Sequence, residues 1–229
     1  MDSIYGLYAD VLPKVMDVVV NKLKAHDREV RAQTGEGAYE HLLCRIKADD
    51  SMRQKLYQRG LPMTPESALT RAHDSIGLRV VTRFVDDVYD IVGFLDTCPG
   101  LTVITKKDYI RQAKPNGYRS YHLIVEVEVP YEDVLGRFPG QYLVEIQLRT
   151  IAMDTWASLE HQLKYKRSIK NEKIVVGELK RVADELASCD VSMQTIRNLI
   201  RSAGEDVGTL EAVAADDADA GDVPAGEDA

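Results

Sequence analysis

Four short segments carry residue types that can handle phosphate, a divalent cation and a proton. The first runs from Arg45 through Lys47 and Ser51 to Lys55. Arg45 and Lys47 are two apart and point the same way in extended chain, while Ser51 and Lys55 are four apart on one helix face. A helix starting at Ser51 offers free backbone N–H groups and a partial positive charge, so the set can surround a polyphosphate. The second segment, His73 to Arg79, places Asp74 just before a strand, and a carboxylate there suits Mg²⁺, which wants oxygen and keeps most of its waters. The third, Lys106 to His122, holds Lys106, Lys107, Arg111, Lys114 and Arg119 against Asp108 only, with Tyr109, Tyr118 and Tyr121 as flat faces on which a base can stack. The fourth puts Glu145, Gln147 and Arg149 on one strand face, where an acid, an amide and a guanidinium are expensive to bury unless they serve a ligand.

Each segment also has an ordinary structural reading: a solvated basic helix start, an Asp in an ion pair, a surface hairpin loop, a solvent-facing sheet side. Neither of the common glycine-rich phosphate loops occurs in the chain. Trp156 and Leu159 read as core, and Glu160 and His161 as structural hydrogen-bonding groups.

The elements that must position these groups follow from periodicity. The first 33 residues read as helix, with Leu7, Val11, Val15, Val18, Val19 and Leu23 at three- and four-residue spacing, although Pro13 disfavours the first turns. Ser51 followed by Gln54 reads as a capping box, so a helix is expected from Ser51 to about Arg59. Thr64-Pro65 reads as the start of a short helix. Strands are expected over 77–84, 101–105, 120–129 and 141–149, a helix over 86–97, and a loop over 106–119 with a tight turn at Asn116-Gly117. In 120–129, Tyr121, Leu123, Val125, Val127 and Val129 share one face; in 141–149, Tyr142, Val144, Ile146 and Leu148 do. Helices are expected from Thr150 to about Arg167 and from 170 to 203. The second carries a heptad seam of Val175, Leu179, Val182, Leu186, Cys189, Met193, Ile196 and Ile200, able to pack on the body or on another subunit. The order fits an α+β fold with a mixed sheet of four to five strands flanked by helices.

Charge is unevenly distributed. The 229 residues hold 29 Lys+Arg and 37 Asp+Glu, a net charge of −8. Nine of the acids and none of the bases lie in 205–229, which leaves residues 1–204 with 28 acids against 29 bases. The acidic balance therefore describes a tail, expected to be disordered, and does not argue against polyanion binding by the body. No apolar run approaches the roughly 20 residues that span a bilayer, and no signal peptide is visible. Cys44, Cys98 and Cys189 form no pair or metal spacing and are expected to be reduced thiols in a cytoplasmic protein.

Taken together and in order, these motifs resemble the RelA/SpoT-type GTP pyrophosphokinases, in particular the small single-domain alarmone synthetases. The resemblance covers about residues 10–200. It rests on R-x-K-x-x-x-S-x-x-x-K at Arg45 to Lys55, D-x-x-G-x-R at Asp74 to Arg79, D-Y-I at Asp108 to Ile110, K-P-N-G-Y-R-S-x-H at Lys114 to His122, E-x-Q-x-R-T at Glu145 to Thr150, and A-M-D-x-W-A-x-L-E-H at Ala152 to His161. Small departures, such as Cys44 before Arg45 and Gln112-Ala113 before Lys114, leave the motif residues in place.

The resemblance implies a nucleotidyltransferase-like fold and transfer of pyrophosphate from ATP to the 3′-hydroxyl of GDP or GTP, giving (p)ppGpp and AMP in the stringent response. It implies that Arg45, Lys47, Ser51, Lys55 and Arg79 bind ATP, with Arg45 and Arg79 about the adenine. It implies that Asp74 and Glu145 hold Mg²⁺, that Glu145 activates the 3′-hydroxyl, and that Tyr118 stacks on guanine. Lys107, Lys114, Asn116, His122, Gln147 and Asp154 are the remaining implied acceptor contacts. The synthetase domain is expected over 1–204, with a helical N-terminal segment over 1–44, a catalytic core over 45–168 and a C-terminal helix over 170–203. The resemblance further implies a homo-oligomer, often a tetramer, with alarmone or single-stranded RNA as a possible allosteric ligand, no hydrolase activity and no ribosome requirement. Two alternatives stay open on sequence: a relative that pyrophosphorylates tRNA ends or an adenine nucleotide, and a catalytically silent nucleotide- or RNA-binding regulator.

Overall fold

A computed structural model describes residues 3–164 and 172–219. The chain divides into two units, residues 1–190 and 191–229. The first is built on a five-stranded sheet in the order β1-β2-β5-β4-β3, with strands β1 (His41–Ile46), β2 (Ile76–Thr82), β3 (Leu101–Asp108), β4 (Tyr121–Val129) and β5 (Gly140–Thr150). Only β2 and β5 run parallel; every other neighbouring pair is antiparallel. The mixed sheet agrees with the α+β expectation.

Alternation decides which face of the sheet is core. Tyr121, Leu123, Val125, Val127 and Val129 of β4 and Tyr142, Val144, Ile146 and Leu148 of β5 are all buried, as their period-two pattern predicts. They form one cluster with Ile76, Leu78 and Val80 of β2. Helices α1 (Leu12–Thr34), α2 (Asp49–Gln58) and α3 (Val85–Thr97) contribute Leu12, Val15, Val19, Leu23, Met52, Leu56, Val88, Ile91 and Leu95 to the same cluster. Each such fully buried side chain contributes about 1.5–3 kcal/mol of transfer free energy. With this face occupied by core, the alternate residues of the same strands are free to build a polar site on the other.

Several boundaries differ from the sequence reading, each for an identifiable reason. The first residues form a 3-10 turn at Gly6–Tyr8, and α1 begins only at Leu12, with Pro13 at the helix start where its missing N–H costs nothing. Strand β1 overlaps the end of the N-terminal segment expected to be helical over 1–44; it is a six-residue edge strand whose exposed and half-buried side chains give no clean alternation. The capping box at Ser51 does not form. Ala48 precedes α2, Asp49 and Asp50 place negative charge in its first turn, and Ser51 is the third helical residue, not the cap. The Asp49 carboxylate instead anchors the N-terminal segment, accepting from Ser3 Oγ at 3.0 Å and Ile4 N at 2.9 Å. Thr64 does cap the next segment, its Oγ1 accepting from Ser67 N at 3.2 Å, but the turn that follows, Ser67–Arg71, is π-helical. Strand β3 reaches Asp108, so Lys106 and Lys107 are strand residues.

Helix α4 (Ile151–Lys164) starts where expected, with Thr150 Oγ1 accepting from Met153 N at 3.2 Å. Its expected end near Arg167 lies outside the described residues. Helix α5 (Glu172–Asp219) continues past residue 204, where the sequence reading ends the helix; Glu, Leu and Ala between 205 and 215 are strong helix formers, and acidity alone does not break a helix. Residues 220–229 of the expected tail are outside the described residues. The heptad seam divides. In the first unit Leu179 is buried and Val175 and Leu186 pack beside Trp156, whereas in the second unit Met193, Ile196 and Ile200 are exposed. Among the described residues no helix is long and apolar enough to cross a membrane.

Candidate active site

Register alone assembles the site. One row across the sheet reads Arg45, Gly77, Glu145, Ile124 and Thr105; the next on that side reads Leu43, Arg79, Gln147, His122 and Lys107. Six residues widely separated in sequence thus share the polar face: Arg45, Arg79, Lys107, His122, Glu145 and Gln147. Two clefts open on this face. The smaller, about 200 Å³, is lined by Cys44, Arg45, Asp74, Arg79, Glu145 and Gln147 among others. The larger, about 490 Å³, is lined by Arg45, Arg79, Tyr118, Gln147, Arg149 and residues of α4 including Glu160 and His161. Arg45, Arg79 and Gln147 belong to both.

Asp74 sits at the entrance to β2, directly after His73, whose φ of 64° is left-handed backbone on a non-glycine residue. Its Oδ2 is 3.1 Å from Lys47 Nζ and 2.6 Å from Lys55 Nζ. Its Oδ1 is buried and has no hydrogen-bond partner. Burial alone raises the carboxyl pKa, but the Lys55 and Lys47 ammonium groups outweigh it and hold Asp74 below the usual carboxylate value. Lys55 is itself pulled down by burial, against the pull of Asp74. Its Nζ also donates to Ala72 O at 3.1 Å, which ties α2 to the segment before β2.

Glu145 is held from two sides. His122 Nδ1 is 3.4 Å from Oε1, and Gln147 Nε2 donates to Oε2 at 3.1 Å. Burial raises its pKa, but the hydrogen bond and charge of His122 outweigh it, so Glu145 stays below its ordinary value and is ionised at neutral pH. Its field and that of Asp74 reach one another, as expected for a carboxylate on β5 and one just before the parallel strand β2, both lining one cleft.

Tyr118 lies in the turn between β3 and β4. Lys114 O accepts from Gly117 N at 2.8 Å, and Gly117 takes φ +91°, a conformation glycine adopts without strain. Asn116 Oδ1 accepts from Tyr118 N at 3.2 Å, so Asn116 shapes the turn, while its Nδ2 donates to Glu160 Oε1 at 3.4 Å. Lys114 Nζ lies 4.6 Å from the centroid of the Tyr109 ring and 4.8 Å from that of Tyr118. The Tyr118 hydroxyl is 2.7 Å from His122 Nε2.

One organising residue carried no role in the sequence reading. Arg149 is buried; it donates to Asp154 Oδ1 at 2.9 Å, to the Tyr118 hydroxyl at 2.8 Å and to Gln147 Oε1 at 3.0 Å. Asp154 Oδ1 also lies 3.2 Å from Arg79 Nη1, so one carboxylate bridges the two arginines. The signal was present as a third polar residue on the Glu145 face, but sequence cannot show that it is enclosed. Trp156 is buried as expected, whereas Leu159, also read as core, is exposed. Glu160 and His161, read as structural, line the larger cleft as well.

Thus the face gathers Arg45, Lys47, Lys55, Asp74, Arg79, Tyr118, His122, Glu145, Gln147 and Asp154. Lys114 stands beside Tyr118, and Lys107 is exposed at the far end of the His122 row. Ser51 is the exception: it is exposed in the first turn of α2 and lines neither cleft.

Comparison with known proteins shows the family to which the chain belongs. Residues 44–170 match the family described as the region found in RelA / SpoT proteins. The chain is 36% identical to GTP pyrophosphokinase YwaC of Bacillus subtilis (strain 168) over 183 residues, covering 80% of this chain and 85% of the relative. It is also similar to the solved structure of small alarmone synthetase 1 from Bacillus subtilis bound to its product pppGpp, with a TM-score of 0.72, 31% identity and coverage of 82% and 94% of the two chains. The structure of that synthetase bound to AMPCPP gives a TM-score of 0.67 at 28% identity, covering 83% and 94%.

Proposed function

Because the chain belongs to the RelA/SpoT family, we propose that it is a small alarmone synthetase that transfers pyrophosphate from ATP to the 3′-hydroxyl of GDP or GTP. The observation that carries this reading is the pair of clefts on one sheet face, joined through Arg45, Arg79 and Gln147, with Asp74 and Glu145 lining the smaller. The relatives' names and the nucleotides bound in the similar structures support it.

The donor belongs on the Arg45–Arg79 side. Two guanidinium planes suit the faces of an adenine, and Lys47 and Lys55 suit its phosphates. The acceptor belongs beside Tyr118, whose ring offers a stacking surface for guanine. Lys114, Lys107 and Asn116 lie toward its phosphates and base, with His122, Gln147 and Asp154 behind the reacting end. In the reaction, the acceptor O3′ forms a bond to the β-phosphorus and the bond from that phosphorus to the α,β-bridging oxygen breaks, releasing AMP. The 3′-proton passes to the Glu145 carboxylate. An ionised Glu145, steadied by His122 and Gln147, is suited to that role. The cations around Asp74 neutralise charge on the transferring group.

The residues fit Mg²⁺. Asp74 Oδ1 is buried without a partner, and Glu145 faces the same cleft, so two hard oxygen ligands are in place for a cation that takes its remaining ligands from water and phosphate. When bound, Mg²⁺ would supply positive charge to the phosphate oxygens. Asp74 would hold it through Oδ1, while Lys47 and Lys55 stand at Oδ2, close enough to meet the donor phosphates. Ser51 is assigned no role beyond the exposed first turn of α2. We also take the exposed Met193, Ile196 and Ile200 face as the surface through which copies of the chain associate, a tetramer being the expected state.

The test is transfer of label from ATP in the presence of Mg²⁺, with GDP, GTP, ATP or tRNA as acceptor. Label on guanine nucleotide supports the proposal. Label confined to tRNA or adenine nucleotide, or no transfer, overturns it.

A further inference from the structure

The loop that presents Tyr118 is fastened to α5 more tightly than a surface turn requires. Arg119, the residue after Tyr118, donates from Nη1 to Gly117 O at 3.2 Å and to Ala183 O at 3.3 Å, and from Nη2 to Asp184 Oδ1 at 3.0 Å. It therefore ties the loop's own backbone, the α5 backbone and an α5 carboxylate with one planar fork. Gly117, the residue before Tyr118, is pressed against the same stretch of helix. A Cβ added there would lie 2.6 Å from Ala183 Cβ and 3.2 Å from Lys180 Cα.

The helix is in turn fixed at both ends of this contact, to α4 at one and to the end of β5 at the other. Trp156 Nε1 donates to Leu179 O at 2.8 Å, and Thr150 Oγ1 donates to Asp190 Oδ2 at 2.7 Å. Leu179, Ala183 and Trp156 form a separate small core, with Tyr118 packed at its edge and the Tyr118 and Trp156 ring centroids 6.3 Å apart. Tyr118 thus stands between two residues anchored to one face of α5.

We propose that Arg119 is a positioning residue: it joins the acceptor loop to residues 179–190 of α5, so that the helix sets the place of the Tyr118 ring and thereby the affinity for the acceptor nucleotide. Arg119 touches neither nucleotide; it acts through Tyr118. The inference rests on the proposed synthetase reading, which assigns the acceptor base to Tyr118. Its consequence is selective. Arg119 and Asp184 contact neither Arg45 nor Arg79, so loosening the clamp should change the acceptor's affinity far more than the donor's.

The experiment compares full-length wild type with Arg119→Gln and Asp184→Asn. Asp184 lies half exposed on α5 and lines neither cleft, so its variant folds even where the first does not. Two readouts are taken: KM for ATP and for GDP in the label-transfer assay, and GDP binding followed by the emission of Trp156, the only tryptophan in the chain. Losing charge-assisted bonds to two carbonyls is expected to raise the GDP KM and dissociation constant about tenfold in Arg119→Gln. Losing the two partly exposed ion pairs of Asp184, to Arg119 and to Lys180, should raise them about two- to threefold in Asp184→Asn. The ATP KM should stay within about twofold of wild type in both, the change to be read against an effect that a general loss of folding would spread over both substrates. Equal shifts in the two KM values, or an unchanged GDP affinity in both variants, would overturn the inference while leaving wild-type turnover intact. Absence of transfer to guanine nucleotide by the wild type would instead overturn the reading of function on which the inference stands.

Discussion

Glu145→Gln separates chemistry from architecture most cleanly. The substitution keeps the side-chain volume in a position where Oε1 faces His122 Nδ1 at 3.4 Å and Oε2 accepts from Gln147 Nε2 at 3.1 Å. The new amide oxygen can still accept from Gln147, so the charge-assisted bonds become neutral ones. Neutral and charge-assisted bonds differ by about 1 kcal/mol, which is the expected cost to the fold. For a chain of this size that corresponds to a fall in Tm of roughly 2–4 °C. The cost to catalysis is much larger. A positioned general base contributes about 10²–10⁴ in rate, and the variant also removes a negative charge from the cleft that Glu145 shares with Asp74. We therefore expect kcat to fall by about 10³-fold or more, equivalent to ~4 kcal/mol of transition-state stabilisation. Both KM values should stay close to wild type, because Glu145 is assigned to neither the adenine nor the guanine contact. The assay is label transfer from ATP to GDP with Mg²⁺, alongside a thermal melt of the same preparation. A kcat within tenfold of wild type would refute the role. So would a rate loss that tracks a Tm drop of about 10 °C or more, since the effect would then be structural.

Three further outcomes follow from the same geometry. Asp74→Ala should abolish transfer while the variant stays folded, and the Mg²⁺ dependence of any residual activity should be lost; normal turnover would exclude Asp74 as the metal ligand. Tyr118→Ala should raise the GDP KM by about 10–100-fold through loss of base stacking, whereas Tyr118→Phe, which keeps the ring and loses only the contacts to Arg149 and His122, should change it far less; equal effects would place the binding energy in the hydroxyl instead. Asp133, buried between β4 and β5, accepts from the amides of Leu135, Arg137 and Gln141 and from Arg137 Nε. Burial raises its pKa, but the amides of Gln141, Arg137 and Leu135 outweigh it, so the folded value lies below the unfolded one. Its contribution is therefore full above the unfolded pKa of about 4 and is lost as pH falls through the folded value. Asp133→Asn should cost about 2 kcal/mol at neutral pH and flatten the acid side of the stability profile, measured by denaturant melts from pH 3 to 7.

The mixed sheet was legible in the sequence, and so were many of the side chains that gather on its polar face. Asp74, Glu145, Gln147 and the Lys114–His122 run carry chemistry in their side chains at spacings set by strand and turn, and the polar face of β5 announced itself against the apolar alternation of Tyr142, Val144, Ile146 and Leu148. Strand β1 was hidden because an edge strand of six residues, mostly exposed, has no periodic signal, and so the place of Arg45 opposite Gly77 could not be read in advance. Ser51 misled because the capping-box pattern is satisfied by composition alone, while the acidic pair Asp49 and Asp50 moves the helix start two residues earlier. Arg149 could be seen as polar but not as enclosed, since its burial depends on Tyr118 and Asp154 arriving from other elements of the fold.

The central claim is that this sheet face moves the β- and γ-phosphates of ATP together to a guanine nucleotide. ATP labelled separately at the α-, β- and γ-phosphorus, incubated with GDP and Mg²⁺, tests it most directly. β- and γ-label are expected in equal amounts on the guanine product and all α-label in AMP. Transfer of γ-label alone, or of α-label with release of pyrophosphate, would contradict it.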